Sequence, residues 1–340
     1  MSGKRLRFGI IGAGRIGCVH AETLAFRMPE AEIVSIFDVN TTAAQSLAAR
    51  CNIPKVTASA EEVLADPKID AVLICSPTPT HTDLIVKAAQ AGKHIFCEKP
   101  IAFSLEKIDE ALATVKKTGV QLQIGFNRRF DSNFMRLRQA VESGEIGAPR
   151  MMRLISRDPA PPPISYIRTS GGIYLDMMIH DFDMARFLIG DEVEEIYTVA
   201  DVMVDPAIGE AGDVDTTIVL LRFRNGVMGT IDNTRESPYG YDQRAEIMGS
   251  KGKVASENRY ANQVVVSSGN AIYSDKPYNF FMDRYPESYA LELQAFTEAV
   301  LAGKPTPVTG IDGRVPVVMA LAARKSYDEH RPVKLAEVSA

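Results

Sequence analysis

The segment "LRFGIIGAGRIG", residues 6–17, constrains this chain more than any other. A short apolar run over residues 6–11 ends directly at Gly12-x-Gly14-x-x-Gly17, and a helical pattern follows over residues 16–27. A second apolar run, "IVSIF" at 33–37, is closed by Asp38, 21 residues beyond Gly17. Strand, glycine turn, helix and then an acid at the end of the next strand make a dinucleotide-binding fingerprint. Gly12 permits the tight turn, Gly14 lets the backbone approach a pyrophosphate, and Gly17 lets helix and strand pack closely. The first helical turn, with Arg15 and Ile16, presents free N–H groups and a partial positive charge to phosphate. Asp38 is placed to accept hydrogen bonds from both hydroxyls of the adenosine ribose and to repel a 2′-phosphate. No arginine in the adjoining "DVNTT" neutralises such a phosphate, so the expected cofactor is NAD rather than NADP.

Further along, apolar runs alternate with helical patterns: "KVTA" at 55–58, "AVLICS" at 71–76, "HIFCEKP" at 94–100 and "VQLQIGF" at 120–126 read as strands. The helices between them start at Thr41 or Thr42, at Thr80 and at Ser104. This grammar predicts a doubly wound parallel sheet, each strand buried on both faces. After about Arg150 it changes to successive strand-like runs separated by turn signals: "EEIYTVADVMV", "DTTIVLLRF", "GVMGTIDNTR", "QRAEIMG" and "NQVVVSS". That pattern predicts a mostly antiparallel sheet. The fold class is thus α/β, with an N-terminal Rossmann domain over residues 1–125 and a C-terminal α+β domain over 126–340 that binds substrate and mediates oligomerisation. Alternation in "TTIVLLRF" is weak, as though both sheet faces were partly covered.

The chain's 340 residues exceed one typical core, in keeping with two domains. A formal net charge of −5 with scattered Lys and Arg argues against nucleic acid or an anionic membrane as the partner. No apolar run approaches the ~18 residues that suggest a membrane span. The cysteines, Cys18, Cys51, Cys75 and Cys97, form no CxxC pair and no zinc-ligand spacing, which fits a reducing cytoplasm and no metal site.

Ligands in an open α/β sheet lie beyond the carboxyl ends of its strands. The loop "SPTPTH" therefore offers Ser76, Thr78 and His81 to the nicotinamide half of the cofactor. After the next strand, Glu98 and Lys99 hold the same position, Lys99 suited to binding a substrate hydroxyl and stabilising charge on its oxygen. In "GGIYLDMMIHDFDMARFL", residues 171–188, Asp176 and His180 lie four apart and share a helix face, while Asp181 and Asp183 point elsewhere. An ordinary imidazole titrates near pH 6.5 and is suited to removing an alcohol proton at neutral pH. His180 is thus the candidate general base, and Asp176 orients it or binds substrate.

The motifs "GIIGAGRIG", "AVLICSPTPTH", "CEKP" and "GGIYLDMMIHDFDMARFL" stand in the order typical of the glucose-fructose oxidoreductase and inositol dehydrogenase family, which this chain resembles along essentially its whole length. "QIGFNRRFD" and "GGIYLDMMIHDFD" resemble the inositol 2-dehydrogenase branch. The resemblance implies NAD, a cyclic polyol or sugar substrate, a homotetramer, and catalytic roles for Lys99, Asp176 and His180. It also implies an open sheet with helices on one face, leaving the other for subunit contact. Arg129 and Asp158 match positions of polar pocket residues in related enzymes. Some relatives carry Asn at the second place, so Asp158 departs from the pattern and leaves the stereoisomer open. Tyr239, Tyr241 and Tyr285 are further polar candidates, equally suited to core or interface. Oxidation of a ring secondary alcohol, foremost that of myo-inositol, is the expected activity. A scyllo-inositol or aldose dehydrogenase is the alternative within the class. Outside it stands a non-catalytic dinucleotide-binding regulator.

Overall fold

The computed structural model describes residues 5–339 and separates into two compact units. One runs through Phe130 and takes back Glu287–Val315; the other comprises Asp131–Pro286 and the residues from Pro316 onward.

The first unit is built on five parallel strands, β1 (Leu6–Ile11), β2 (Ala31–Phe37), β3 (Ala71–Ile74), β4 (His94–Glu98) and β5 (Leu122–Gly125), in the order β2-β1-β3-β4-β5. Helices α1 (Arg15–Arg27), α2 (Thr41–Cys51), α3 (Ala60–Ala65), α4 (His81–Gln90) and α5 (Leu105–Thr118) connect them. β3 is buried at every residue, as expected of a central parallel strand. The predicted strand "KVTA" is only a single bridge between Val56 and Ile36. The bridge consists of Ile36 N donating to Lys55 O and Thr57 N donating to Ile36 O, and the Thr57 hydroxyl then turns to Ser59 O. α2 is capped by Asn40, whose side chain accepts from Ala43 N, and not by either threonine. Ser104 caps α5 as predicted.

Residues 287–315, predicted to lie in the second domain, complete the core of the first. From the helix Pro286–Leu301, Phe296 packs against Phe8 and Phe96, with ring centroids 6.1 and 5.8 Å apart. The following segment runs along the edge strand: Ile124 N donates to Val308 O and Thr306 Oγ1 to Leu122 O. An open parallel sheet leaves one edge of β5 unpaired, and this segment satisfies part of it.

The second unit centres on a seven-stranded sheet: β6 (Pro149–Arg157), β7 (Val193–Asp201), β8 (Thr216–Phe223), β9 (Met228–Thr234), β10 (Asp242–Gly249), β11 (Lys253–Ser256) and, at the edge, Val333–Lys334. The order is β11-β10-β6-β9-β8-β7 and then the edge strand; all pairs are antiparallel except β6 with β9. The run "NQVVVSS" does not join this sheet; Val265–Ser267 pairs only with Ile272–Ser274 as a separate hairpin. Burial in β8 alternates strictly, contrary to the weak alternation of its sequence. Val219 and Leu221 are buried, while Ile218 and Leu220 are 52% and 47% exposed. One sheet face therefore presents apolar side chains to its surroundings within the single chain. Helix α6 (Ser132–Glu142) and the run α7 (Ile164–Ser170), α8 (Gly172–Asp176) and α9 (Ile179–Ile189) complete the part of this unit that carries the candidate residues. The predicted single helix over 171–188 is thus broken at Met177–Met178.

Candidate active site

The glycine turn has the geometry its sequence demands. Gly12 adopts φ +112°, and a Cβ there would meet the Cys75 carbonyl at 2.6 Å. A Cβ on Gly17 would fall 2.2 Å from Gly12 O. Gly14 differs: beyond its chain neighbours, nothing lies within 4 Å of where a Cβ would stand. Two glycines are thus required by packing, and the third keeps open space beside the backbone. α1 begins there with no side-chain cap and no acid in its first turn, which leaves the positive end of its dipole suited to an anion. Arg15 is exposed and Ile16 half-buried against the core. Asp38, directly after β2, accepts from Ala13 N at 2.6 Å and from Asn40 N at 2.7 Å. The acid is thereby fixed against the glycine turn. Anion-ready helix, open glycine and anchored acid together fit a dinucleotide.

At the ends of the next strands, Ser76 Oγ lies 2.6 Å from Thr80 Oγ1, and Thr78 opens a 3₁₀ turn preceding α4. His81 is held by backbone carbonyls. Its ring is buried, with Nδ1 2.8 Å from Pro100 O and Nε2 2.7 Å from Ser76 O. It ties the loop after β3 to the loop after β4, and burial pushes its pKa below the usual imidazole value. Glu98 is likewise buried. Its Oε1 lies 2.6 Å from His20 Nε2, and its Oε2 accepts from Lys99 N. Lys99 is half-buried, between Glu98 and a cis peptide to Pro100. Arg129, in a 3₁₀ turn after β5, pairs with Asp312 at 2.9 Å, and that pairing draws the Asp312 carboxyl below its usual range against the opposing effect of its burial.

In the second unit, Asp176 ends α8 and His180 lies in the first turn of α9. Met177 and Met178 keep right-handed helical backbone across the break, so the two residues remain about one turn apart. Asp176 Oδ1 accepts from Tyr166 Oη at 2.9 Å, and its Oδ2 lies 3.5 Å from Arg235 Nη1. Arg235, 1% exposed, also sits 3.5 Å from Asp213. Asp213 in turn accepts from Ile173 N with both oxygens, and a Cβ on Gly172, φ +78°, would fall 2.8 Å from it. Neither Arg235 nor Tyr166 stood out in the sequence. Arg235 is 59 residues from Asp176 and belongs to no local motif, so only the fold of β9 reveals it. Asp181 is buried and accepts from Asn233 Nδ2, and Asp183 is buried as well. Asp158 follows β6, half-buried, its N–H bonded to Thr234 O. Tyr239 bonds Asp242 and Arg157. Tyr241 and Tyr285 are core residues whose rings meet edge to face at 6.1 Å.

A strand–glycine turn–helix with an anchored acid, joined in one chain to an Asp–His pair on an α+β unit, defines a Rossmann-type oxidoreductase. The chain belongs to the GFO/IDH/MocA oxidoreductase family: the model of its NAD-binding Rossmann fold matches residues 6–126 and that of its C-terminal domain residues 134–255. It is an NAD-dependent enzyme. It is 47% identical over 333 residues to a myo-inositol 2-dehydrogenase of Thermotoga maritima, covering 98% of this chain and 99% of the relative. It is 38% identical to an NAD(+)-dependent scyllo-inositol 2-dehydrogenase of Bacillus subtilis, covering 97% and 96%. A crystal structure of a probable dehydrogenase from Thermotoga maritima superposes with a TM-score of 0.96 at 47% identity, over 98% of this chain and 100% of that one. Among the described residues, no helix is long and apolar enough to cross a membrane.

Proposed function

We propose that the protein oxidises a ring secondary alcohol of a cyclic polyol to the ketone, with myo-inositol as substrate and C2 as the reacting carbon. NAD, when bound, supplies the two-electron acceptor for that carbon. His180 removes the proton of the reacting hydroxyl, while Lys99 and Asp176 hold the same hydroxyl and stabilise charge as it develops on the oxygen. Gly12, Gly14, Arg15, Ile16, Gly17 and Asp38 hold the dinucleotide, and Ser76 and Thr78 serve its nicotinamide end. Arg129 and Asp158 contact the remaining hydroxyls of the ring.

The observation that carries the reading is the fixing of Asp176 by Tyr166 and Arg235 one turn from half-buried His180. A carboxylate held from both sides is a preorganised partner for a hydroxyl, which a solvated surface pair is not. Full-length similarity to a myo-inositol 2-dehydrogenase supports the substrate. The scyllo-inositol enzyme among the relatives supports that isomer as the second reading. Purified protein, NAD and a panel of inositols and aldoses, followed by absorbance of the reduced cofactor, test the choice. Myo-inositol is expected to give the highest kcat/KM.

We also propose a cytoplasmic homotetramer. The exposed apolar face of the second unit's sheet, with Val199, Ile218, Leu220 and Met228 each about half exposed, supports subunit contact. The four unbridged cysteines support a reducing compartment.

A further inference from the structure

Directly behind the Glu98–Pro100 turn lies a charge cluster that the proposed chemistry does not use. His20 on α1, Glu98 at the end of β4 and Glu292 on the helix Pro286–Leu301 converge in the core of the first unit. One ring nitrogen of His20 and one oxygen of each carboxylate all lie within 4.8 Å of one another. His20 and Glu292 are 0% exposed and Glu98 8%. Neither Glu292 oxygen has a hydrogen-bond partner in the protein, nor has His20 Nδ1. The cluster is built, not incidental. The rings of Phe96 and Tyr289 meet the imidazole edge-on at 5.2 and 5.7 Å. Gln123 Nε2 donates to the backbone carbonyl of Glu292, fixing the helix against β5. Gly125 makes room for the Glu98 carboxylate, which a Cβ would approach to 3.0 Å.

Two carboxylates and a histidine could hold a cation or share a proton, and the geometry decides between them. His20 Nε2 and Glu98 Oε1 are 2.6 Å apart, a short charge-assisted hydrogen bond. Two ligands each ~2.1 Å from one zinc-sized ion in tetrahedral array would stand more than ~3 Å apart. A carboxylate buried without a donor takes up a proton instead of keeping its charge. Burial, reinforced by the charge of Glu98, pushes the Glu292 carboxyl well above the usual carboxylate range.

We propose that His20, Glu98 and Glu292 form a buried unit that holds a proton on Glu292 and positions Lys99. Glu292 is the neutral acid of the unit, and Glu98 is its anion, bonded to His20 through Oε1. The other Glu98 oxygen accepts from Lys99 N, so the unit sets the backbone from which the lysine side chain extends. These are positioning residues; none of them is given a contact with substrate.

Infrared difference spectra of wild type against Glu292→Gln test the proton, and steady-state kinetics test its use. At neutral pH the wild type is expected to show the carbonyl stretch of a protonated carboxylic acid that E292Q lacks. E292Q, an isostere of the neutral acid, keeps kcat within about threefold of wild type. Glu292→Leu, of similar bulk but without polar atoms, loses at least about tenfold in kcat with the KM for NAD unchanged. Glu292→Met replaces it, with the same two outcomes, if E292L does not fold. No difference in the carbonyl band, full kcat in the apolar variant, or a stoichiometric metal present in wild type and absent from E292Q would each overturn the proposal. The kinetic arm rests on the dehydrogenase reading above and the infrared arm does not, so failure of one is distinguishable from failure of the other.

Discussion

Arg235 Nη1 lies 3.5 Å from Asp176 Oδ2, with the arginine side chain only 1% exposed. Its second nitrogen stands equally far from Asp213, so a single buried cation is shared by two acids on separate segments. Removing one member of such a group leaves the others buried and uncompensated, typically at a cost of about 3–5 kcal/mol.

Arg235→Met is therefore expected to lower stability by about 3 kcal/mol, seen as a fall in Tm of roughly 5–10 °C. Arg235→Lys keeps the charge and should lose less. A Met variant that melts with wild type would show that the cation does not hold the two acids.

Tyr166→Phe removes the hydroxyl that donates to Asp176 Oδ1 at 2.9 Å. The residue is about half exposed, so Tm should change little. If Asp176 must be held to bind the reacting hydroxyl, kcat/KM for the polyol falls by about five- to thirtyfold, equivalent to 1–2 kcal/mol, while NAD binding is unaffected. Isothermal titration with NAD beside steady-state kinetics separates the two effects.

Asp38 sets the cofactor. Its carboxylate is anchored by Ala13 N and Asn40 N, and each oxygen keeps further acceptor capacity. Asp38→Ala is expected to weaken NAD binding about tenfold or more and to narrow the preference over NADP. An unchanged ratio of the two affinities would remove Asp38 from cofactor discrimination.

His81 makes stability depend on pH. Burial holds its folded pKa below the ~6.5 of the unfolded chain, so folding favours the neutral ring. Its contribution is fully present above pH 6.5 and is lost as pH falls toward the folded value. Thermal melts from pH 8 to 5 should show wild type losing Tm on acidification more steeply than His81→Gln, although the variant is less stable at neutral pH. Parallel curves would exclude His81 as the source.

The first unit was the more legible because its signals are local. Glycines with fixed geometric tasks, an acid at a strand end and fully apolar strands lie within short windows. The return of residues 287–315 was not legible, because an amphipathic helix does not specify which core it fills. Phe296 against Phe8 is a tertiary fact. His81 shows the same limit. At a strand's carboxyl end a histidine reads as a ligand group, and only the two carbonyls beside its ring reveal a loop tie. The Asp176–His180 spacing was legible, but the break at Met177–Met178 was not, since both methionines suit a continuous helix. Arg235 and Glu292 could not be found at all, because their partners are remote in sequence.

Oxidation of a polyol by this chain is measured directly as formation of reduced cofactor from NAD and myo-inositol by wild type beside Lys99→Met and His180→Ala. Wild type is expected to turn over, each variant to lose at least about a hundredfold in kcat, and His180→Ala to retain NAD binding. Undiminished turnover in both variants, or a wild type that binds NAD yet reduces it with no polyol or sugar, would contradict the proposed function.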